Sequence, residues 1–426
     1  MIDLLYPIVG VLGAVPVVYL LVNAYLARKT DPSRVRVVVP LSEITIVTPV
    51  RDQKLEVFCE SLRSVAEQGC SFVVVGDGCR EPYRTVTEEL GGTFLPLEEH
   101  LGKKRAFATG VASVRTPYVL VVDSDTVLPS HAARDLASHF GPKVGGVGAN
   151  LSVKDTGHPV AYCAEFVERA REVVLRAMSS RGSVLYLDGA CAMYRTEVIR
   201  SFVQSSEFQD LRVLGRPSAL GDDWQLTDFL LREGFTTVKA YGVQAVTYPK
   251  ETFSEFVRQN VRWSRSNWIR LGRFLTGRGP TNRGAFFTFE VLGTYALPLV
   301  AFATLLSRLP FVLHVLAGDS LTLTEVGMIL LHSLLGLSRG TTGLVVRISL
   351  TVVGAFATGA YLGTLLRGSK HPTLRMVAYG ALGTAVLFAT ALFGLVTFWK
   401  RPRWGGRRSP GSAELPGPGP SPTEMG

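Results

Sequence analysis

The sequence predicts an α/β domain built on an open, mostly parallel sheet and joined to an α-helical membrane region. Two observations carry this expectation. Short β-rich runs alternate with helical stretches between residues 40 and 250, and long uncharged apolar blocks lie on either side. The balance of the 426 residues agrees: 47% are hydrophobic and only 19% charged, and the apolar ones gather in blocks.

Within the soluble stretch, Ile44–Val50, Ser71–Val75 and Tyr118–Asp123 read as strands, and Lys54–Glu67, Pro82–Leu90 and Lys103–Val114 as the helices between them. This alternation is that of nucleotide-binding sheets, whose ligands sit beyond the carboxyl ends of the strands. Arg51-Asp52, Gly76-Asp77-Gly78 and Asp123-Ser124-Asp125 fall at those ends, so three strand ends are expected to converge on one site.

Leu4–Leu26 is uncharged over 23 residues, enough for a helix to cross roughly 30 Å of hydrocarbon. No basic residue precedes it, whereas Arg28, Lys29, Arg34 and Arg36 follow. Residues 1–27 therefore read as an anchor rather than a signal peptide, with the following loop in the cytosol. Further spans are expected within 284–399, at Ala285–Leu306 with only Glu290, at Ile348–Leu366 and at Met376–Trp399. Leu309–Leu337 holds Asp319 and Glu325 and admits either a loop or a short, re-entrant span. Five spans would place Lys400–Arg408 in the cytosol and the loop with Arg367, Lys370 and Arg375 on the opposite side. The expected setting is thus a multi-pass protein of the plasma membrane with its 40–250 domain cytosolic. Residues 409–426 are rich in Pro, Gly and Ser and are expected to be disordered.

Five cysteines, without CxxC or Cys/His spacing, suit a reduced cytosolic domain. The net charge of +10 admits nucleic acid, anionic lipid or a phosphorylated ligand as partner. Its juxtamembrane concentration selects the bilayer and a phosphorylated ligand, with no nucleic acid.

Asp123 and Asp125 follow an apolar strand, and their carboxylates lie about 7 Å apart on one side if that strand stays extended. Such a pair is suited to Mg²⁺ or Mn²⁺ shared with diphosphate oxygens; a solvated turn explains the tripeptide equally well. Asp77 suits a hydrogen bond from a uracil or ribose, or a Gly-Asp-Gly turn. Gly102-Lys103-Lys104-Arg105 offers cations to a base or phosphate, or simply opens a helix in water. In Gly221-Asp222-Asp223-Trp224, Asp223 is placed to take a proton from a hydroxyl attacking an anomeric carbon, a role compatible with that of a helix N-cap. Gln259-Asn260-Val261-Arg262-Trp263 lies in residues 251–283, a basic, aromatic stretch expected to lie at the membrane surface. A lipid-surface helix accounts for its charges but not for its position downstream of the acidic motifs.

Taken in order, Asp77, Gly102-Lys103, Asp123-Ser124-Asp125, Gly189–Arg195, Gly221-Asp222-Asp223 and Gln259–Trp263 resemble the processive β-glycosyltransferases of glycosyltransferase family 2. Hyaluronan synthases and rhizobial chitooligosaccharide synthases are the nearest groups. The resemblance covers about residues 40–275, and Trp404-Gly405-Gly406-Arg407 is similar to an element after the last span of hyaluronan synthases. It implies a GT-A-type glycosyltransferase domain fused to an α-helical transmembrane region, UDP-sugar donors, a Mg or Mn ion, and a growing polysaccharide threaded through a channel of the same chain. By motif, Asp77 and Lys103 would contact the nucleotide, and Asp123 and Asp125 would hold the metal and diphosphate. Asp223 would be the base. Asp222, Gln259 and Trp263 would serve the acceptor, with Cys191 in the loop beneath it or else merely buried. Arg262 would line the diphosphate region, and Trp404 and Arg407 would either close over the donor or serve as a basic, aromatic anchor flanking the membrane.

Two departures bear on the sugar rather than the reaction: Trp224 stands where relatives have Arg, and Asp188 and Ala190 flank Gly189 where a small residue and Pro are usual. The resemblance thus implies a processive synthase of a hyaluronan-like polymer of alternating N-acetylglucosamine and glucuronate, or else of a single-sugar polymer such as a chitooligosaccharide or β-glucan. Transfer of a single sugar to a lipid carrier, or nucleotide binding without turnover, are the competing functions.

Overall fold

The computed structural model describes residues 16–29, 37–218, 220–316, 341–367 and 369–400. Its centre is an eight-stranded sheet in the order β3-β2-β1-β4-β7-β6-β10-β5. The strands are β1 (Ile44–Val50), β2 (Ser71–Asp77), β3 (Thr93–Leu97), β4 (Tyr118–Val122), β5 (Thr126–Val127), β6 (Val144–Val153), β7 (Cys191–Arg195) and β10 (Thr236–Thr247). A small ribbon, β8 (Arg212–Val213) with β9 (Arg216–Pro217), lies apart. β1, β4 and β6 are buried along their whole length, so none of them alternates between a polar and an apolar face, and β4 reads as an unbroken apolar run.

The parallel half, β3-β2-β1-β4, matches the expectation from sequence. Beyond it the sheet departs, because β7 runs antiparallel to both β4 and β6. One face is covered by α2 (Leu55–Ala66), α3 (Tyr83–Glu89) and α5 (Ala132–Ala137), which bring Phe58, Leu62 and Leu136 onto Leu120 and Val122. The other is covered by α4 (Lys103–Ser113), α7 (Thr196–Gln204) and α9 (Asp222–Arg232), where Phe107, Phe202 and Leu230 meet Val47 and Val119. A short α8 (Ser206–Gln209) adds Phe208 to that core.

Two long helices complete the domain, α6 (Pro159–Ser179) and α10 (Phe253–Leu275). Thr252 and Glu255 form a capping box that starts α10, each side chain satisfying the other's backbone N–H. Apolar helices follow: α1 (Pro16–Leu26) at the N-terminal side, then α11 (Gly284–Leu316), α12 (Thr341–Leu366) and α13 (Thr373–Leu395). α11 runs past the expected end at Leu306, and its Phe287 and Val291 enter the second core. Among the described residues one helix, Thr373–Leu395, is long and apolar enough to cross a bilayer, while Pro16–Leu26, Gly284–Val300 and Val352–Leu366 are shorter apolar helices.

The connection into α13 corrects the sequence reading. It was expected to face away from the catalytic domain, yet an Arg375 guanidinium N–H donates to Tyr162 Oη of α6 at 2.9 Å, and the His371 ring meets the Val153 carbonyl at 2.7 Å. The other end is also tied down: Trp268 Nε1 of α10 donates to the Ala391 carbonyl at 2.7 Å, and Arg265 Nε to Thr397 Oγ1 at 3.0 Å. α13 therefore lies along α6 and α10 with both ends on the same domain. Polar groups on α6 and α10 supply partners for the helix ends that lipid would leave unsatisfied. Trp404, Arg407, the rest of residues 401–426 and most of the interval from 309 to 337 lie outside the described residues.

Candidate active site

The carboxyl ends of β2, β1 and β4 open into a cleft of about 2500 Å³ that Asp77, Lys103, Asp123 and Asp125 line. It continues past Asp222, Asp223, Gln259, Arg262 and Trp263 and ends between the apolar helices at Tyr295, Tyr361 and Phe388. The three strand ends thus converge as the sequence requires.

β4 ends at Val122, and the chain does not stay extended beyond it. Thr126 N–H donates back to the Asp123 carbonyl at 3.0 Å, so Asp123-Ser124-Asp125 is a tight turn, and the extended spacing expected for its two carboxylates does not hold. Both still face the cleft.

The first turn of α4 sorts the basic triplet by the roughly 100° that separates successive helical side chains. Lys103 enters the cleft and pairs with Asp123 Oδ1 at 2.7 Å and Asp222 Oδ2 at 3.3 Å. Burial works against its charge, but Asp123 and Asp222 outweigh it and hold the ammonium well above the ordinary lysine range. Lys104 points the other way, donates to the Phe208 carbonyl at 3.1 Å, and is pulled by burial down to about 8. Arg105 is on the outside, 3.5 Å from Asp210. Of the triplet, only Lys103 belongs to the site.

Asp77 is engaged by its own chain. Its carboxylate accepts from Leu101 N–H at 2.7 Å and Gly102 N–H at 3.1 Å and meets His100 Nδ1 at 2.7 Å, which fixes the loop that presents Lys103.

Asp222 and Asp223 occupy the first turn of α9, and the N-cap is Gly221 rather than either aspartate. Gly221 has φ +87°, and a Cβ there would fall 2.1 Å from Trp224 Nε1, so this position requires glycine twice over. Asp223 Oδ1 accepts from Trp224 N–H at 2.8 Å. Burial, and then the neighbouring Asp222 carboxylate, raise the Asp223 carboxyl to about 6. Asp222 is buried as well, but Lys103 and Lys104 overcome that and lower it. The adjacent aspartates are thereby separated: one is a fixed anion beside Lys103, the other a carboxylate with appreciable proton affinity.

Trp224 is the reason α9 and α10 share a wall. Its Nε1 donates to Ser266 Oγ of α10 at 2.8 Å, and Arg270 of α10 pairs with the buried Asp228 of α9 at 2.5 Å. Gln259, Trp263, Ser266 and Arg270 recur at three- and four-residue spacing, so one face of α10 carries both the cleft residues and the contacts that dock them.

Cys191 does not face the cleft. Strand alternation directs its side chain into the core beside Val122, with burial raising the thiol to about 12; Gly189 and Ala190 line the cleft in its place. Gly189 is close to the charged centre, since a Cβ there would lie 3.3 Å from Lys103 Nζ and 3.7 Å from Asp223 Cβ.

Sequence reasoning missed a buried charge cluster under this site. Lys239 of β10 lies 2.7 Å from both Glu172 Oε1 and Asp188 Oδ2, and Arg171 bridges Glu168 at 2.9 Å and Asp188 at 3.0 Å. Glu168, Glu172 and Asp188 bring carboxylate oxygens within 4.8 Å of one another, and Lys239 and Arg171 already pair with them. The signal was present in α6, whose Glu165, Glu168, Arg169 and Glu172 recur at helical spacing on a face that the fold buries.

Asp123 and Asp125 fit a hard divalent cation better than that cluster does. Burial, opposed by Lys103 and reinforced by Asp125, leaves Asp123 with a raised proton affinity, and both carboxylates are oxygen donors of the kind such a cation takes.

A family model described as glycosyltransferase like family 2 matches residues 45–266, just over half of the chain. An N-acetylglucosaminyltransferase of Azorhizobium caulinodans is 28% identical over 281 residues, 62% of this chain and 69% of the relative. Its namesake from Rhizobium meliloti is 28% identical over 244 residues, 54% of this chain and 56% of the relative. The chain spans between about half and two thirds of the length of such curated relatives. Among solved structures, the mannosyltransferase PcManGT from Pyrobaculum calidifontis, in complex with GDP-Man and Mn²⁺, aligns with 87% of this chain and 100% of its own at a TM-score of 0.54 and 16% identity, a likeness of fold.

Proposed function

The chain belongs to glycosyltransferase-like family 2, and on that footing we propose that it is an inverting synthase that transfers N-acetylglucosamine from a UDP-linked donor to a growing β-linked polysaccharide. The apolar helices would seat it in the plasma membrane, and the polymer would leave along the continuation of the cleft between them. The observation that carries this reading is that a cation–carboxylate centre, a separate high-affinity carboxylate and the Gln259–Trp263 face line one continuous cleft. The names of the rhizobial relatives favour N-acetylglucosamine. An alternating, hyaluronan-like product is the second reading, supported by the Trp404-Gly405-Gly406-Arg407 motif.

In the proposed step an acceptor hydroxyl attacks the donor's anomeric carbon, its proton passes to Asp223, and the bond from that carbon to the diphosphate breaks with its electron pair leaving on the diphosphate oxygen. Lys103 balances the charge of Asp123 and Asp222 and can turn toward phosphate. Asp123 and Asp125 would hold Mg²⁺ or Mn²⁺, which when bound offsets the charge gathering on the leaving diphosphate. Asp77 would serve the nucleotide by fixing the loop ahead of Lys103, its carboxylate being taken up by Leu101, Gly102 and His100, and Arg262, which lines the cleft, would meet the diphosphate. Trp263 offers an indole face to a sugar ring, with Gln259 beside it. Trp404 and Arg407 would close over the donor.

The direct test supplies purified protein and Mn²⁺ with UDP-N-acetylglucosamine, UDP-glucuronate and UDP-glucose, singly and in pairs, and reads UDP release and the size and glycosidase sensitivity of the product. Polymer from UDP-N-acetylglucosamine alone supports the first reading, a requirement for the glucuronate pair supports the second, and no UDP release from any combination refutes both. Asp125→Ala is expected to weaken metal-dependent UDP binding about tenfold or more, because a lost cation ligand leaves diphosphate charge uncompensated; calorimetric titration of UDP with and without Mn²⁺ checks it.

The pH dependence follows from Asp223. A base must be unprotonated, and burial together with Asp222 raises this carboxyl from its ordinary value to about 6. The kcat/KM for transfer should therefore be flat above about pH 6 and fall roughly tenfold per unit below it. A plateau extending down to pH 4.5 would exclude Asp223 as the base.

A further inference from the structure

We propose that Arg171 of α6 is a positioning residue that locks the acceptor wall to the acceptor floor, and so decides whether the donor sugar goes to a sugar hydroxyl or to water. The inference rests on the reading above, in which Trp263 carries the acceptor ring.

The Arg171 guanidinium lies 4.9 Å from the centre of the Trp263 indole ring and covers one of its two faces. A sugar can stack only on the other. Three hydrogen bonds then fix the guanidinium itself: Nε donates to Tyr186 Oη at 2.7 Å, one terminal nitrogen to Glu168 Oε2 at 2.9 Å, and the other to Asp188 Oδ1 at 3.0 Å. With every edge of the planar group engaged and its face against Trp263, neither the ring nor the cation is free to slide. Lysine cannot reproduce this, because its ammonium is a point charge without a plane.

The same side chain reaches the reacting centre through Asp188. That residue precedes Gly189, whose missing Cβ keeps the backbone within contact distance of Lys103 and Asp223. Lys239 holds the second oxygen of Asp188 at 2.7 Å, so the floor cannot shift without breaking a buried pair. Arg171 therefore touches both the indole and the segment lying against the base. It fixes the offset between a ring stacked on Trp263 and the carboxylate of Asp223.

Transfer to a sugar depends on that offset, because the attacking hydroxyl is held by its ring and must arrive at the anomeric carbon in line. Hydrolysis does not. A water oxygen that bonds to the anomeric carbon, with its proton passing to Asp223 and the diphosphate leaving, gives free sugar and UDP and needs no ring in place.

The test uses the full chain with UDP-N-acetylglucosamine, Mn²⁺ and chitotetraose as acceptor, and counts UDP released, free sugar and sugar added. Arg171→Met and Arg171→Lys should lower the ratio of transfer to hydrolysis by about tenfold and raise the acceptor KM. UDP release without acceptor should stay within about threefold of the unaltered protein. Arg171→Lys keeps a cation beside Glu168 and Asp188, so it supplies the measurement should Arg171→Met not fold. An unchanged ratio in a folded variant would overturn the proposal, as would equal loss of transfer and hydrolysis with an unaltered acceptor KM. Absence of any UDP release from the unaltered protein would instead bring down the enzymatic reading on which the proposal stands.

Discussion

Replacing Asp223 with Asn should cut sugar transfer by about 10²–10⁴ while leaving UDP affinity close to that of the unaltered protein. The amide keeps the size of the side chain and its acceptor oxygen, so the 2.8 Å contact with Trp224 N–H survives and α9 should stay in place. What is lost is a site for the proton. Donor affinity should persist because Lys103, Asp123 and Asp125 lie on other elements, at the start of α4 and the end of β4. Transfer rates and UDP titrations on the same preparation check both halves. Near-normal turnover would remove Asp223 from the chemistry, and a matching loss of UDP affinity would move it into the donor site.

Lys239→Met should be among the most destabilising single substitutions in the domain. Its ammonium is wholly buried between Glu172 and Asp188, and removing it leaves carboxylates facing one another away from water. Breaking a buried ion pair from one side costs about 3–5 kcal/mol. In a domain of this size that corresponds to a drop in Tm on the order of 10 °C. The accompanying change Glu172→Met should restore much of the loss, since Asp188 keeps Arg171 as partner and the methionines fill the space. Thermal unfolding in detergent of the single and double variants separates this from a general intolerance of the position. If the double variant were no more stable than the single one, the cost would lie in packing rather than in charge.

What could be foreseen from sequence was whatever depends on local pattern. β1 and the helices α2, α3 and α4 were placed to within a residue or two, because each is bounded by turn residues and carries one periodicity. The convergence of Asp52, Asp77 and Asp123 on one cleft followed from a general property of parallel sheets. The reversal of β7 could not be read, since a short, mostly buried strand carries no local mark of its direction. Nor could the side to which Cys191 turns, which depends on register against β4. The ionic cluster was missed because its members, from Glu168 on α6 to Lys239 on β10, are far apart in the chain and each alone looks like a solvated charge. The docking of Arg375 and His371 was misjudged because counting spans assigns sides by alternation, whereas here tertiary contacts hold both ends of α13 on one domain.

The reversed β7 also divides the protein for engineering. Because β7 runs against β4, the loop entering it arrives where β4 ends, and Asp123 N–H donates to the Ala190 carbonyl at 3.1 Å across that seam. On one side of the seam lie β1 to β4, with the strand ends assigned to the nucleotide; on the other lie α6, β10, α9 and α10, with the surfaces assigned to the acceptor. A chimera that takes its first part from one synthase and its second from another, joined in the segment between β5 and β6, would keep the strand ends of each side together but would have to rebuild the pairing of β4 with β7, the packing of α4 on α7 and the Lys103–Asp222 pair. Donor choice and product architecture would then be exchangeable as separate cassettes.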